Sequence, residues 1–501
     1  MFERAHALIG AGRASHAIRL ARAAASLAPT FWQSGLNLGG ILIDGGARLR
    51  KPVLVREGIK LLESHVEHAP DETRRPFHYN IGTGYSELGA RERGHGPLTR
   101  PSTRAAVEHL AQAVSSVEET PDQWVNLAGA LSVQGRYVEA IDILSAVLRE
   151  YPDHHQALAT RSNAQTRMYG WMWHHRGLLD SAALDMMLAL ESAMHTAPDY
   201  AIRYSGALGN LHGRIGADRP HLTLREPTAM QSWIYENGLA LNNCPLCHAE
   251  RPDSIDTYVV EGFLEAPSRR PRVEEIAETV NSWHRSFATA RWQLVQAMGF
   301  AGELPADHVP TLGGLPGSDQ GLRVGLLASA LTEFHAILDQ IAFGINAILR
   351  LGHDPGKVNF TSVWSKRGWK QRQQGRAAIP DRREDIHPQL RRGASRSLAA
   401  LFHLSWSFAV GEGMYRSLRK LRDRAAHHVI VATSEDVTSS VVRTISVTEL
   451  ERQAAAMGRL AKAAMWYAGG AISWYEANRL RRARREGELV GAGAPRIINR
   501  Q

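Results

Sequence analysis

Apolar positions in the first half of the chain recur at three- and four-residue steps, the spacing of helices that bury one face. Residues 123–153, QWVNLAGALSVQGRYVEAIDILSAVLREYPD, contain two such stripes. The stripes cover residues 124–131 and 140–147, and Gly135 stands between them. Glycine can end a helix without steric cost, so the pattern predicts two helices joined by a tight turn.

This unit closely resembles the tetratricopeptide repeat. Its small residues Ala128 and Ala140 allow two helices to approach closely. Weaker copies flank it, and we expect four or five helix pairs over residues 1–200 that stack into a curved solenoid. The resemblance implies a concave groove that binds an unknown protein or peptide. A structural spacer or dimer scaffold is the other interpretation.

The pattern becomes helical again from about residue 273 and predicts a bundle of long helices. Apolar positions between Ile276 and Leu294 mark the first of them. Further helices are expected near residues 322–351, 395–408 and 447–482. The aromatic residues at helical spacing are interpreted as core residues rather than base-stacking platforms. They are Trp283, Phe287 and Trp406.

The predicted fold class is all-α, with a tetratricopeptide-like solenoid followed by a helical bundle. The predicted divisions are a repeat array over 1–200, a connector over 201–272, the bundle over 273–485 and a flexible tail over 486–501.

Composition excludes several classes of protein. The chain has 501 residues, of which 44% are hydrophobic and 22% charged, so it is not a disordered chain. No apolar run reaches the roughly 20 residues that a membrane span needs. The first residues do not form a secretory signal. We therefore expect a cytoplasmic protein without a membrane partner.

Positive charge is concentrated in the second half. Lysine and arginine outnumber aspartate and glutamate by 59 to 50. Ten basic and three acidic residues lie between Lys366 and Arg396, with Trp364 and Trp369 nearby. Such a segment could follow an RNA backbone, and a solvated loop explains it almost equally well.

The two cysteines form the motif C-x-x-C-H at Cys244, Cys247 and His248. Two cysteines cannot build a disulfide framework. A zinc site built on Cys244, Cys247 and His248 is the less favoured alternative, because zinc binding would need further ligands and only distant histidines remain as candidates. Haem attachment would need export. We favour the interpretation that the two cysteines are ordinary thiols in an irregular connector. No metal ligand and no cofactor are therefore predicted.

A short motif near the C-terminus carries the functional prediction. The segment LRKLRDRAAHH, residues 418–428, places Arg422 five residues before His427, with Asp423 next to the arginine. It resembles the R-x4-6-H signature of the HEPN superfamily (higher eukaryotes and prokaryotes nucleotide-binding). In that signature the residue after arginine is usually Asn, Asp or His.

Further blocks resemble the HEPN family that carries a tetratricopeptide array ahead of the bundle. They occur in the order expected for that family and are, from the N-terminal side, ENGLALN (236–242), FATARW (287–292), FHAILDQIA (334–342) and VNFTSVW (358–364). The resemblance covers roughly residues 235–480. It implies a metal-independent endoribonuclease that leaves 2′,3′-cyclic phosphate ends, with a role in phage defence or a toxin-like stress response.

The residue types suit that chemistry. His427 can act as general base or acid near neutral pH, and Arg422 offers a fork of donors to phosphate oxygens. On a helix, Asp423 and His427 would share one face, so the carboxylate could orient the imidazole. The basic neighbours Arg419, Lys420 and Arg424 are predicted to contact RNA.

On an ideal helix, residues five apart are separated by about 140°. One chain would therefore present Arg422 and His427 poorly to a single phosphate, and the resemblance implies a homodimer whose two motifs face one cleft. We expect Asp339 to have a structural role, and the alternative is that its carboxylate pairs with Arg422 within the bundle. The alternative function is a non-enzymatic scaffold in which the bundle serves only interaction and dimerisation.

Overall fold

The first half of the chain folds into helix pairs whose apolar stripes face each other. In the computed structural model its helices are α1 (Phe2–Gly10), α2 (Ala14–Ala25), α3 (Trp32–Arg48), α4 (Pro52–Val66), α5 (Arg74–Gly89), α6 (Pro101–Ala113), α7 (Pro121–Val133), α8 (Tyr137–Glu150), α9 (His155–Trp171), α10 (Arg176–Thr196) and α11 (Pro198–His212). Consecutive helices from α1 to α10 pack in pairs. This confirms the expected stack of helix pairs.

The structure describes residues 1–91, 98, 101–114, 120–214, 226–250, 255–258, 260, 270–300, 318–319, 321–366, 379, 385–392, 395–409, 415, 417–418, 421, 430–433 and 443–485.

The pair α7 and α8 has the geometry that its sequence predicts. Gly135 adopts a φ of +83° between the two helices, a conformation that side chains with a Cβ rarely adopt. Ala128 and Ala140 are fully buried in the same core. The small residues therefore lie at the contact between the helices.

The pair α3 and α4 was not identified from the sequence, because glycines interrupt its apolar stripe. A Cβ on Gly39 would lie 2.5 Å from Cγ of Leu62, and one on Gly58 would lie 2.7 Å from the Gly39 carbonyl oxygen. The two helix backbones approach so closely that only glycine fits at these positions.

The connector contains more helix than the sequence predicted. Its helices are α12 (Ala229–Glu236) and α13 (Pro245–Glu250). Thr228 and Gln231 form a capping box at the start of α12. Pro245 begins α13, where its fixed φ suits the first helical turn. The cysteine motif, predicted to lie in an irregular loop, therefore includes a short helix.

The second half forms the predicted helical bundle. Its helices are α14 (Arg270–Ala297), α15 (Leu322–Ile348), α16 (Pro388–Arg392), α17 (Arg396–Ala409) and α18 (Val447–Arg485). Trp283 and Phe287 are fully buried, as predicted. Trp406 is half-buried and packs against the same core. Its Nε1 also donates to Glu108 Oε1 of α6 at 3.0 Å, which joins the bundle to the helix pairs.

A small sheet was not predicted. Its strands are β1 (Ser318–Asp319), β2 (Ile430–Thr433) and β3 (Arg443–Ser446). The middle strand β2 is antiparallel to β1 and parallel to β3, with Val431 opposite Thr444. Strands of two to four residues are too short to give a periodic signal, so the sequence pattern did not reveal them.

Within the described part of the chain, α15 is the one helix long and apolar enough to cross a membrane by length and composition. Its residues Phe334, Ile337 and Ile341 are fully buried. Packing against α14 and α18 accounts for this apolar face.

Candidate functional site

The predicted catalytic segment lies outside the described residues, but its flanks are described. The residues outside are Arg419, Lys420, Arg422, Asp423, Arg424 and His427. Leu418 and Leu421 are buried on the N-terminal side. On the C-terminal side, β2 begins three residues after position 427. The motif therefore stands between residues anchored in the core and the middle strand of the sheet.

One buried carboxylate joins the helix pairs to this flank. Arg136 Nε donates to Glu139 Oε2 at 2.7 Å, within the unit that includes α8. The hydroxyl of Tyr415 donates to Glu139 Oε1. Tyr467 of α18 donates to Oε2 of the same carboxylate at 3.2 Å. Glu139 of α8 is therefore shared by the helix pairs, Tyr415 on the N-terminal flank of the motif, and α18.

The electrostatics of this group fix its hydrogen-bond directions. Arg136 is fully buried, and Glu139 is 5% exposed. Burial and the Glu139 carboxylate raise the pKa of Tyr415 well above its ordinary value, so this phenol keeps its proton and donates. Arg136 Nη1 also donates to Ser407 Oγ at 2.8 Å, which adds α17 to the group.

A second ion pair lies one helical turn away. Lys462 of α18 contacts Asp142 of α8 at 2.7 Å, and the two side chains are 2% and 17% exposed. Arg459, one turn earlier on α18, donates to the Asn237 carbonyl oxygen at 3.0 Å. The joint between the helix pairs and the bundle is therefore held by buried charges as well as by apolar contacts.

A cleft of about 310 Å³ opens beside this ion pair, between α8, the connector and α18. Arg149, Arg459 and Lys462 bring positive charge to its wall. Asn243, 4% exposed, also lines it, and both polar atoms of its side-chain amide have no partner among the described residues. The cleft therefore offers a free donor and a free acceptor to a water molecule or a small ligand.

The two cysteines lie beside a histidine that the sequence analysis did not select. His175 Nε2 is 2.9 Å from Cys247 Sγ. The donor atoms of His175, Cys244 and Cys247 all lie within 4.8 Å of one another. A hydrogen bond from the Cys244 thiol is the largest cause that lowers the pKa of Cys247, to about 5. The three residues can hold a metal ion.

His248, the third residue of the sequence motif, points elsewhere. Its Nε2 donates to the Asn242 carbonyl oxygen at 2.6 Å, and its ring packs against Tyr235. Of the residues in the sequence motif, the structure brings Cys244 and Cys247 together, whereas His248 does not join them. His175 is 69 residues before Cys244, so motif spacing could not reveal it; the adjacent histidines at 174 and 175 were the one available signal.

The family-like blocks of the bundle serve mainly to build its core. Asp339 Oδ1 accepts a hydrogen bond from the Phe360 backbone at 2.9 Å, which agrees with a structural role. Trp364 is fully buried, and its Nε1 donates to Phe360 O and Ser405 Oγ, both at 2.9 Å. Trp364 therefore cannot stack on an RNA base, and Trp369 lies outside the described residues.

Comparison with known proteins gives one finding. No curated protein matches this chain. The model of one protein family, described as LA2681-like HEPN, matches residues 268–474. The match covers α14 to most of α18, together with the segment that includes Arg422 and His427. The helical bundle in the second half of this chain is therefore a HEPN-type domain.

Proposed function

We propose that this protein is a metal-independent endoribonuclease of the HEPN type that acts on cytosolic RNA. The observation that carries the proposal is the family match over residues 268–474, since it encloses the R-x4-H motif at Arg422 and His427. Either observation alone would be weak, because an arginine and a histidine at this spacing are common.

RNA carries its own nucleophile, the 2′-hydroxyl group, so the protein has to move a proton and stabilise an anionic phosphorus centre. We assign proton transfer to His427 and stabilisation of the phosphate oxygens to Arg422. Asp423 is a positioning residue that accepts a hydrogen bond from the imidazole. The products are a 2′,3′-cyclic phosphate and a 5′-hydroxyl.

The proposal includes a homodimer. Two copies of the motif across a two-fold axis near His427 would bring arginine and histidine side chains to one cleft. Arg419, Lys420 and Arg424 add positive charge on the same segment and would bind the RNA backbone. A structured RNA such as tRNA is the proposed substrate.

The helix pairs of the first half are the proposed docking or sensing region. They would act as a tetratricopeptide-type array that takes a protein or peptide in its groove. Because Tyr415 binds Glu139 of α8 and precedes Arg422 by seven residues, a change in the array can reach the motif through this contact. A role in phage defence or a toxin-like response fits such a sensor joined to a nuclease.

The test is cleavage of total RNA by the purified full-length chain without added metal, and a parallel reaction with EDTA tests whether cleavage is independent of metal. We expect wild type to cut RNA, and His427→Ala and Arg422→Ala each to lose at least about a hundredfold in rate, since general acid–base catalysis alone contributes that much. Circular dichroism and the elution volume of the dimer should not change. Intact RNA with wild type, or equal cutting by all three proteins, would favour the non-enzymatic scaffold.

A further inference from the structure

Three side chains of types that bind metal ions come from two distant segments and meet at one point, and none of them belongs to the R-x4-H motif. His175 directly precedes α10, Cys244 directly precedes α13, and Cys247 lies on α13. Their donor atoms lie within 4.8 Å of one another. All three side chains are fully or partly buried, so this is not an accidental surface cluster.

The surrounding residues hold the three side chains in place. The Trp173 ring stacks on His175 with ring centroids 4.4 Å apart and an interplanar angle of 10°. The backbone of Cys244 donates to Asn242 Oδ1 at 2.9 Å. Outer contacts of this kind orient the ligands of metal sites.

Space at the cluster is preserved by a glycine. A Cβ on Gly177 would lie 2.7 Å from His175 Nε2 and 2.9 Å from Cys244 Sγ. Any larger residue at position 177 would press on two of the three donor atoms.

We propose that His175, Cys244 and Cys247 bind one Zn²⁺ ion. Two thiolates and one imidazole are the ligand types that zinc takes in proteins, and C-x-x-C is the spacing with which two cysteines bind it. Three protein ligands leave the fourth tetrahedral position for water or one further ligand. The assignment differs from the sequence motif, since it uses His175 in place of His248.

The site has a structural consequence for the joint between the two halves of the molecule. Trp173 also contacts Trp466 of α18, with ring centroids 5.0 Å apart. Trp466 Nε1 donates to the Leu241 carbonyl oxygen of the connector at 2.8 Å. A metal bound to His175 and the two cysteines would therefore clamp α10 to the connector, directly beside the HEPN-type domain. This inference does not depend on ribonuclease activity.

The first experiment measures metal content and ligand chemistry in the full-length protein. We expect about one equivalent of zinc per chain by mass spectrometry after gel filtration. Replacement of zinc by Co²⁺ should give the visible absorption of a tetrahedral site with sulfur-to-metal charge transfer. Folded, reduced wild type that contains no zinc and also fails to take up Co²⁺ would overturn the proposal.

Variants then identify the histidine ligand. Cys244→Ser, Cys247→Ser and His175→Ala should each lower zinc affinity at least about tenfold and abolish the Co²⁺ charge-transfer band or shift it. His248→Gln and His174→Ala are the matched controls and should retain the wild-type spectrum. Loss of the spectrum in His248→Gln but not in His175→Ala would contradict the assignment. The metal content and Co²⁺ spectrum of the wild-type protein test zinc binding without any variant, so the proposal can still be tested if one variant fails to fold.

Discussion

The two ends of the helix-pair region are built differently. At the N-terminal end, α1 to α5 bury two small separate cores, one around Ile18 and Ile41 and the other around Ile59 and Phe77. From Leu98 onward a single core runs through the later pairs, the connector and the bundle as far as Ile472. The first pairs therefore depend on their neighbours alone, as in a solenoid, whereas the later pairs share their core with the HEPN-type domain.

Ion pairs in the two regions differ in the same way. Arg22 and Glu57 pair at 2.7 Å near the N-terminus, with side chains 50% and 45% exposed. Arg136 and Glu139 form the corresponding arginine–glutamate pair at the joint, where both are buried. Water screens the first pair and leaves it nearly neutral in energy. The second pair has no water to replace a lost partner. Mutation should therefore have large effects at the joint and small ones at the N-terminal end.

The largest expected effect is that of Glu139→Gln. The change leaves the Arg136 guanidinium buried without a carboxylate, which should lower the free energy of unfolding by about 3–5 kcal/mol. Glu57→Gln is the matched control and should cost less than about 1 kcal/mol. Urea denaturation followed by circular dichroism measures both. Equal losses in the two variants would remove the contrast between the regions.

A smaller effect separates the two tyrosines at the joint. Tyr415→Phe and Tyr467→Phe each delete one hydrogen bond to the same charged carboxylate, so each should cost about 1.5–3 kcal/mol. Tyr415 is seven residues before Arg422 in the sequence, whereas Tyr467 lies on α18. Tyr415→Phe should therefore slow RNA cleavage more than Tyr467→Phe does. Unfolding and cleavage rates are measured on the same preparations. Cleavage that falls equally in both variants would show that Tyr415 acts through stability alone.

The smallest effect concerns the contact between the two core regions. His78 and His109 stack between α5 and α6, with their Nδ1 atoms 3.0 Å apart. Burial lowers the pKa of His109 from 6.5 to about 4, and burial and Arg74 lower the pKa of His78. The unfolded chain then binds more protons between pH 6.5 and 4. Stability from this pair is therefore present above pH 6.5 and lost as the pH falls through that window.

His109→Gln should accordingly reduce the stability difference between pH 7 and pH 5 by about 1–2 kcal/mol. His68→Gln, the same substitution at an exposed position, is the matched control. Urea denaturation of each variant at pH 7 and at pH 5 measures this stability difference. If His109→Gln left the stability difference between pH 7 and pH 5 unchanged, folding would not lower the pKa of His109.

The sequence predicted those parts of the fold whose stability comes from a regular apolar stripe. The helices α7, α8, α14 and α15 were found in this way, because each repeats its buried positions at helical spacing. Arg136 stands in the turn that the sequence predicts between α7 and α8, and nothing in the local sequence shows that it is fully buried. Its burial depends on partners as distant as Ser407 and Tyr415, which only the folded chain brings together.

The cluster of His175, Cys244 and Cys247 shows the same limit in the candidate sites. The spacing of Cys244 and Cys247 is local and was found, whereas the contact with His175 depends on how α10 packs against α13. His248 was a plausible ligand from the sequence because it is adjacent to Cys247. The orientation of its ring toward Asn242 excludes it from the cluster. Residue type was thus predictable, but the grouping of residues from different elements was not.

The central claim, that this HEPN-type domain cuts RNA through Arg422 and His427, is tested most directly by sequencing RNA ends in cells. Wild type and His427→Ala are expressed at equal levels, and 2′,3′-cyclic phosphate and 5′-hydroxyl ends are mapped. We predict new paired ends at defined RNA positions with wild type and their absence with His427→Ala. The same ends with both proteins, or no new ends with wild type, would contradict the account.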